Sequence, residues 1–357
     1  MYVHIPFCNS RCAYCDFVSS VGQFDARAYV AALCREITER APAYVDTVFI
    51  GGGTPSVLPR GALTEILQTL RSRACFSADC EITCEANPES CSDAFLHEAV
   101  QSGVNRLSLG VQSLCDEILA SVGRRHTAQQ ALAAVARAKA HGIQNINCDL
   151  MLGLPHQSAP DVAHAVNALA ACGVTHVSAY ALTVEEGTPL HRAGFTINGD
   201  YAAELYDVAW GRLRALGFER YEVSNFCRPR KRCRHNYKYW TLSPYVGVGA
   251  AAHSYNGHCR SYNTSDIAAY IRGERNETVQ TVTAADTLEE YILLGLRTAD
   301  GISFAALDRL CGGDWAAQKR DALRPLLAAG LLEYTAGGIR LGEKAFYTMN
   351  EVIVRLL

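Results

Sequence analysis

The sequence predicts an α/β fold: a partial (β/α)6 barrel over residues 1–200, a smaller α/β extension with a linker over 201–284, and a winged-helix-like C-terminal module over 285–357. Three observations predict it. Short apolar or β-branched runs recur at residues 1–7, 47–53, 81–86, 106–112, 145–154 and 176–183, with starts mostly roughly 25 to 45 residues apart. Stretches of helical periodicity separate these runs. After residue 200 the rhythm stops. Strand–helix alternation implies parallel strands with right-handed crossovers. A doubly wound sheet would give the same period, and in both architectures the strand C-terminal ends carry the informative residues.

The elements follow in order. In 25–40, Tyr29, Leu33 and Ile37 repeat every four residues and define one apolar helix face. Residues 63–70, 94–101, 128–141 and 162–171 share that pattern. Residues 201–216 read as a helix and 219–224 as a strand. A basic, aromatic stretch occupies 228–240, a run of small residues 247–252, and a polar linker 263–281. Helical patterns resume at 285–298, 304–310 and 315–329. Residues 331–334 and 339–341 then flank Thr335-Ala-Gly-Gly338, a hairpin turn signal.

Composition narrows the function classes. Apolar residues make up 49% of the 357 and charged ones 19%, so a large core can be buried and disorder is excluded. Lys and Arg total 33 against 36 Asp and Glu, a balance that asks for no nucleic acid. No signal-peptide pattern is visible, nor an apolar run of the ~18 residues that a membrane span requires. The expectation is a cytoplasmic protein with no transmembrane segment. Its fifteen cysteines are odd in number and scattered, in a chain too large to need stapling. Most read as small residues of a reduced protein, and a few as metal ligands.

Cys8-Asn-Ser-Arg-Cys12-Ala-Tyr-Cys15 places three thiols within eight residues, directly after the first strand. Thiolates are soft ligands that suit zinc or iron–sulfur clusters. A structural zinc site needs a fourth ligand at similar spacing, and the next cysteine, Cys34, falls inside a helical pattern. Three thiolates with one position open fit a [4Fe–4S] cluster; a zinc-binding interaction protein is the structural alternative. One unit later, Gly51-Gly52-Gly53-Thr54 ends the second strand, where missing Cβ atoms let a ligand approach the backbone. Glu85 closes the third strand. Gln112 and Asp149 are polar groups in apolar runs, and burying either unpaired costs about 2 kcal/mol or more, so partners or ligands are expected.

Cys-x3-Cys-x-aromatic-Cys is the signature of the radical S-adenosylmethionine (SAM) superfamily, which this chain resembles. The resemblance implies that SAM chelates the open iron and that an electron from the cluster cleaves its sulfonium to a 5′-deoxyadenosyl radical. Tyr2-Val-His-Ile-Pro-Phe-Cys8, Gly51-Gly-Gly-Thr-Pro55, Gly110-Val-Gln-Ser113 and Asp149-Leu-Met-Leu-Gly-Leu-Pro155 narrow the likeness. Together they are similar to the oxygen-independent coproporphyrinogen III oxidase family, over residues 1 to about 350. That resemblance implies SAM contacts from Tyr2, Tyr14, Gly52, Gly53, Thr54, Glu85, Gln112, Arg124, Asp149 and Ala181, with Cys8, Cys12 and Cys15 on the cluster. Arg124 is preferred to Arg125 by its distance of twelve residues from Gln112.

Two departures point to a sister branch. The oxidase carries a further cysteine where this chain has Phe17, and a long segment before the cluster loop where only seven residues precede Cys8. Both departures match the haem chaperone (HemW) branch, which also has a His-Asn-x-x-Tyr-Trp motif, here His235-Asn236-Tyr237-Lys238-Tyr239-Trp240. The cofactors implied are a [4Fe–4S] cluster, SAM and haem. The implied partners are haem-accepting client proteins, including respiratory ones at the membrane. No catalytic residue is assigned, and oxidative decarboxylation of coproporphyrinogen III is the alternative. His235 is a candidate haem ligand, Tyr237, Tyr239 and Trp240 could stack on the macrocycle, and Arg228, Arg230, Lys231, Arg232 and Arg234 could pair with propionates. The plain alternative is a hydrogen-bonded core histidine among core aromatics, with a solvated basic face. Cys233 competes as axial ligand, with His253 and His258 behind it.

Overall fold

The computed structural model describes residues 1–22 and 25–357. Six strands, β1 (Tyr2–Ile5), β2 (Tyr44–Gly52), β3 (Cys75–Ala86), β4 (Arg106–Gln112), β5 (Asn145–Leu152) and β6 (His176–Ala181), lie side by side in chain order and run parallel. Helices α1 (Ala26–Arg40), α2 (Ala62–Arg73), α3 (Asp93–Gln101), α4 (Ala128–Ala140) and α5 (Ala159–Ala171) connect them. Side chains of Asp25, Ser92, Thr127 and Ser158 accept a backbone N–H at the starts of α1, α3, α4 and α5, each cap worth about 1 kcal/mol. α6 (Gly199–Ala215) completes the outer layer against α5.

The sheet stays open. Beyond β6, β7 (Glu219–Arg220) and β8 (Asn225–Cys227) add an antiparallel edge, and β9 (Gly247–Val248) pairs with β1 at the other. Strand alternation divides the faces. Val48, Ile50, Ile82, Cys84, Leu107, Leu109, Ile146, Cys148, Val177 and Ala179 are buried with helix residues in two apolar clusters. The alternate positions Thr47, Glu81, Thr83, Arg106, Ser108, Asn147, His176 and Ser178 are equally buried but polar. They line the concave side of the partial barrel.

The structure departs from expectation in three places. Residues 219–224 are no single strand: the chain reverses after β7, where the Glu222 carboxylate accepts the Ser224 N–H at 3.0 Å, and returns as β8. The polar segment 263–281 is no linker. It contains a helix at Ile267–Ile271 and a strand at Thr278–Thr281, the edge of a three-stranded antiparallel sheet with His253–Tyr255 and Cys259–Tyr262. All four residues of that edge strand are exposed, which explains their polar composition. The helix expected over 315–329 is two, Trp315–Gln318 and Arg320–Ala328.

The C-terminal part has its own core of Ile292, Leu307, Trp315, Leu326 and Ile339. The hairpin at residues 335–338 is present, joining Leu332–Tyr334 to Gly338–Leu341, with Ile302–Ser303 as third strand. All fifteen cysteines are free. Among the described residues no helix is long and apolar enough to cross a membrane.

Candidate functional site

After β1 the chain enters the cysteine loop, tightened by a hydrogen bond from the Cys15 N–H to the Cys12 carbonyl at 3.2 Å. The three thiols line a cavity of about 310 Å³ over the C-terminal ends of the parallel strands. Gly52, Gly53, Thr54, Glu85, Gln112, Asp149 and Ala181 come to the same cavity from β2 to β6 and their ends, and Tyr14 and Arg124 from loops. Of the implied SAM contacts Tyr2 lies elsewhere, as do His235 and the other candidate haem contacts.

Gly52 has φ +108°, and a Cβ there would strike the His4 ring. A Cβ on Gly53 would come within 2.7 Å of the Phe7 carbonyl oxygen. The glycines thus serve the packing of β2 on the cysteine loop as well as any ligand. The register of β4 against β5 shifts between Gly110 and Gln112, and Gln112 holds a left-handed φ of +66°. Such strain in a residue with a side chain is stored at functional sites, here by a bulge that ends the strand at the cavity.

The charged groups are held firmly. The Gly52 N–H donates to Glu85 Oε2 at 2.9 Å. Burial, and then the neighbouring Asp149, push the Glu85 carboxyl up to about 7. Burial also raises Asp149, against hydrogen bonds from Asn147 and Ser178. Arg124 donates to Asn87 Oδ1 at 2.8 Å, to Cys12 Sγ at 3.5 Å and to the Gly110 carbonyl. Arg125 is exposed. Cys8 Sγ lies 3.3 Å from Thr54 Oγ1, and burial pushes the Cys8 and Cys15 thiols up.

Asn87 is a residue that sequence reasoning missed. Its amide donates to Thr54 Oγ1 at 3.0 Å while its oxygen receives Arg124, so it ties β2, β3 and the arginine together. The signal was its place in Glu85-Ala-Asn-Pro88, a strand end stopped by proline.

The residues present fit the implied cofactors. Arg124 lines the cavity, and its Nε is buried without a hydrogen-bond partner, an orphan donor. Two carboxylates stand across from one guanidinium, a donor set suited to a ligand with both ammonium and carboxylate groups. Among the described residues no three His, Cys, Asp or Glu side chains are grouped tightly enough for a single metal ion. A four-iron cluster takes its thiolates on separate irons and spreads them further.

A second cavity of about 540 Å³ adjoins the first and shares Phe17, Gly52 and Glu85 with it. Tyr2 lies here, its hydroxyl 2.8 Å from His4 Nδ1. Other walls come from Phe49, Tyr180, Leu294 and the helix α7 (Arg234–Trp240), through Asn236, Tyr239 and Trp240.

His235 does not face this cavity. It is 0% exposed; its Nδ1 is 3.0 Å from Thr47 Oγ1 and its Nε2 3.0 Å from Tyr239 OH. In this conformation it presents no free ring nitrogen to a ligand, and the structure matches the core-histidine alternative. Cys233 is equally enclosed, with Sγ 3.8 Å from Glu81 Oε1 and its thiol pushed up to about 11 by burial. His253 stacks on Tyr262. Three of the five residues in the basic run are also committed elsewhere. Arg228 lies over Phe218, Arg232 pairs with Asp300 at 2.7 Å and Arg234 with Asp79 at 3.0 Å.

Comparison with known proteins agrees with this architecture. Residues 2–169 match the radical SAM superfamily and residues 282–347 the HemN C-terminal domain. The chain is 36% identical to a haem chaperone HemW of Mycobacterium tuberculosis, over 100% of this chain and 94% of that one. It is 33% identical to a haem chaperone HemW of Escherichia coli, over 99% and 96% of the two chains. Among solved structures, coproporphyrinogen III oxidase (HemN) from Escherichia coli superposes with a TM-score of 0.85, covering 99% of this chain and 89% of that one at 22% identity. That likeness describes the fold. Full-length identity to the chaperones, on a radical SAM fold, shows that the chain belongs to the haem chaperone HemW family.

Proposed function

We propose that this protein is a cytoplasmic haem chaperone. A [4Fe–4S] cluster sits on Cys8, Cys12 and Cys15, and SAM in the same cavity against Gly52, Gly53, Glu85, Gln112, Arg124 and Asp149. Haem occupies the adjoining aromatic cavity and passes to haem-accepting client proteins, respiratory ones at the membrane among them. When bound, the cluster supplies one electron to the sulfonium of SAM. The chain's own residues do the rest: Glu85 and Asp149 accept hydrogen bonds, Arg124 donates them, and Tyr2, Tyr239 and Trp240 offer ring faces to a planar ligand.

One observation carries the reading. Phe17 is 65% exposed and lines both cavities, at the position where the oxidase resemblance calls for a further cysteine. The wall between cofactor and cargo therefore presents an apolar ring instead of a thiol.

Anaerobic reconstitution followed by haem titration and an oxidase assay tests the proposal. The expected result is stoichiometric haem binding and no protoporphyrinogen from coproporphyrinogen III. Sustained turnover of coproporphyrinogen III overturns it in favour of the oxidase.

A further inference from the structure

The concave face beneath Asp149 holds a group of buried polar residues that touch neither cavity. Asn147, His176 and Tyr221 are 3%, 1% and 1% exposed. Asn147 Nδ2 donates to Asp149 Oδ1 at 2.7 Å and to Ser108 Oγ at 2.8 Å. Asn147 Oδ1 therefore faces His176 Nδ1, 2.6 Å away, and Ser178 Oγ, 3.2 Å away. An amide oxygen only accepts, so His176 Nδ1 carries the proton. Its Nε2 is then an acceptor, and Tyr221 OH, at 2.8 Å, donates to it. The Tyr221 oxygen in turn receives the Cys233 N–H at 3.3 Å. Burial, together with Arg106, keeps His176 neutral, as this arrangement requires.

Every donor in this chain points the same way. It runs from the Cys233 N–H through Tyr221, His176 and Asn147 to the Asp149 carboxylate, so each bond polarises the next towards that negative charge. Cys233 is the residue on which α7 begins. The next two backbone N–H groups of α7, from Arg234 and His235, bind the Glu81 carboxylate at 3.2 and 3.0 Å. The Arg106 guanidinium, 1% exposed, feels Cys233, Glu81, Tyr221 and Asp149 together, and its Nε has no hydrogen-bond partner. One end of the chain is in the first cavity. The other sets the helix that walls the second.

We infer that Asn147, His176 and Tyr221 are positioning residues that hold Asp149 at one end and α7 at the other, and so transmit occupancy of the first cavity to the aromatic wall of the second. The inference rests on the reading of the first cavity as the SAM site. A ligand that donates a hydrogen bond to the Asp149 carboxylate changes the charge that the chain is polarised towards, and the change reaches Asn236, Tyr239 and Trp240 through the backbone of α7. Coupling of this kind acts equally in both directions.

Hydrogen exchange on the cluster-reconstituted protein, with and without SAM, tests it, with Tyr221→Phe as the variant. That change deletes one hydroxyl, the link between His176 and Cys233, and leaves both cavity walls intact. SAM is expected to slow exchange of the amides of residues 233–240 by about fivefold or more in the unaltered protein. In Tyr221→Phe the slowing is expected to fall below about twofold, while SAM affinity stays within about threefold. Equal slowing in both proteins overturns the inference. So does the absence of slowing in the unaltered protein, a result that needs no variant to fold. Failure to bind SAM at all overturns the cofactor reading with it, and titration shows that separately.

Discussion

The two cavities share a wall, yet one follows from local sequence and the other does not. Around the first, the suggested ligands converge with the exception of Tyr2: the thiols arrive on one loop, and the remaining groups sit at the ends of successive parallel strands or on the loops beside them. Loop spacing and strand ends are local properties, and a parallel sheet brings its C-terminal ends together whatever its details. Around the second, the outcome depends on which face of α7 turns inward. His235 points to the buried side, bonded to Thr47 and Tyr239, whereas Asn236, Tyr239 and Trp240 line the cavity. Six consecutive motif residues cannot tell those two faces apart. Only the packing of α7 against Thr47 and Glu81 does.

The sharpest way to break the comparison is at the cysteines. Cys8→Ala, Cys12→Ala and Cys15→Ala should each abolish cluster retention, because none of the other cysteines lines that cavity. Iron and sulfide content after anaerobic reconstitution checks this, and full retention in any one of them removes that thiol from the ligand set.

His235 separates the two cavities next. His235→Ala leaves the Thr47 and Tyr239 hydroxyls without their imidazole partner and opens a void, and should destabilise the fold by about 2–4 kcal/mol in urea. The Soret band of the haem complex of the folded variant should match that of the unaltered protein. A displaced band would return His235 to the iron. Trp240→Ala, which removes a ring from the cavity wall, should instead weaken haem binding by about tenfold with little change in stability.

The legibility of the fold follows the same division. The six parallel strands and the helices between them were readable from periodicity, as was the hairpin at 335–338, because each buries an apolar stripe or uses a turn with a sequence signature. The edge strand Thr278–Thr281 was not, since an exposed strand needs no apolar alternation. The polar chain through Asn147, His176 and Tyr221 was not either, as its members come from β5, β6 and the turn after β7. Asp149 alone gave a hint, as a polar group that had to find a partner.

The smallest effect concerns the carboxylates at the cavity floor, where proton linkage tests whether they are held for a ligand or for the fold. Glu85 titrates near about 7 in the folded chain, above the usual Glu range, because burial and Asp149 disfavour its charge. The native state therefore holds this proton more tightly than the unfolded chain does. Its contribution favours folding at low pH, is lost as pH rises from the unfolded carboxyl range through about 7, and stays lost above that. Asp149, also raised, acts in the same direction. Because Glu85 is only half-buried and opens on a solvated cavity, the swing should be no more than about 2 kcal/mol. Glu85→Gln should remove most of it, so that urea midpoints at about pH 5 and about pH 8 lie closer together than in the unaltered protein. If the carboxylate instead stabilises the fold through its bond to the Gly52 N–H, the variant will lose stability at the higher pH, and the floor of the first cavity will be structural first and a ligand site second.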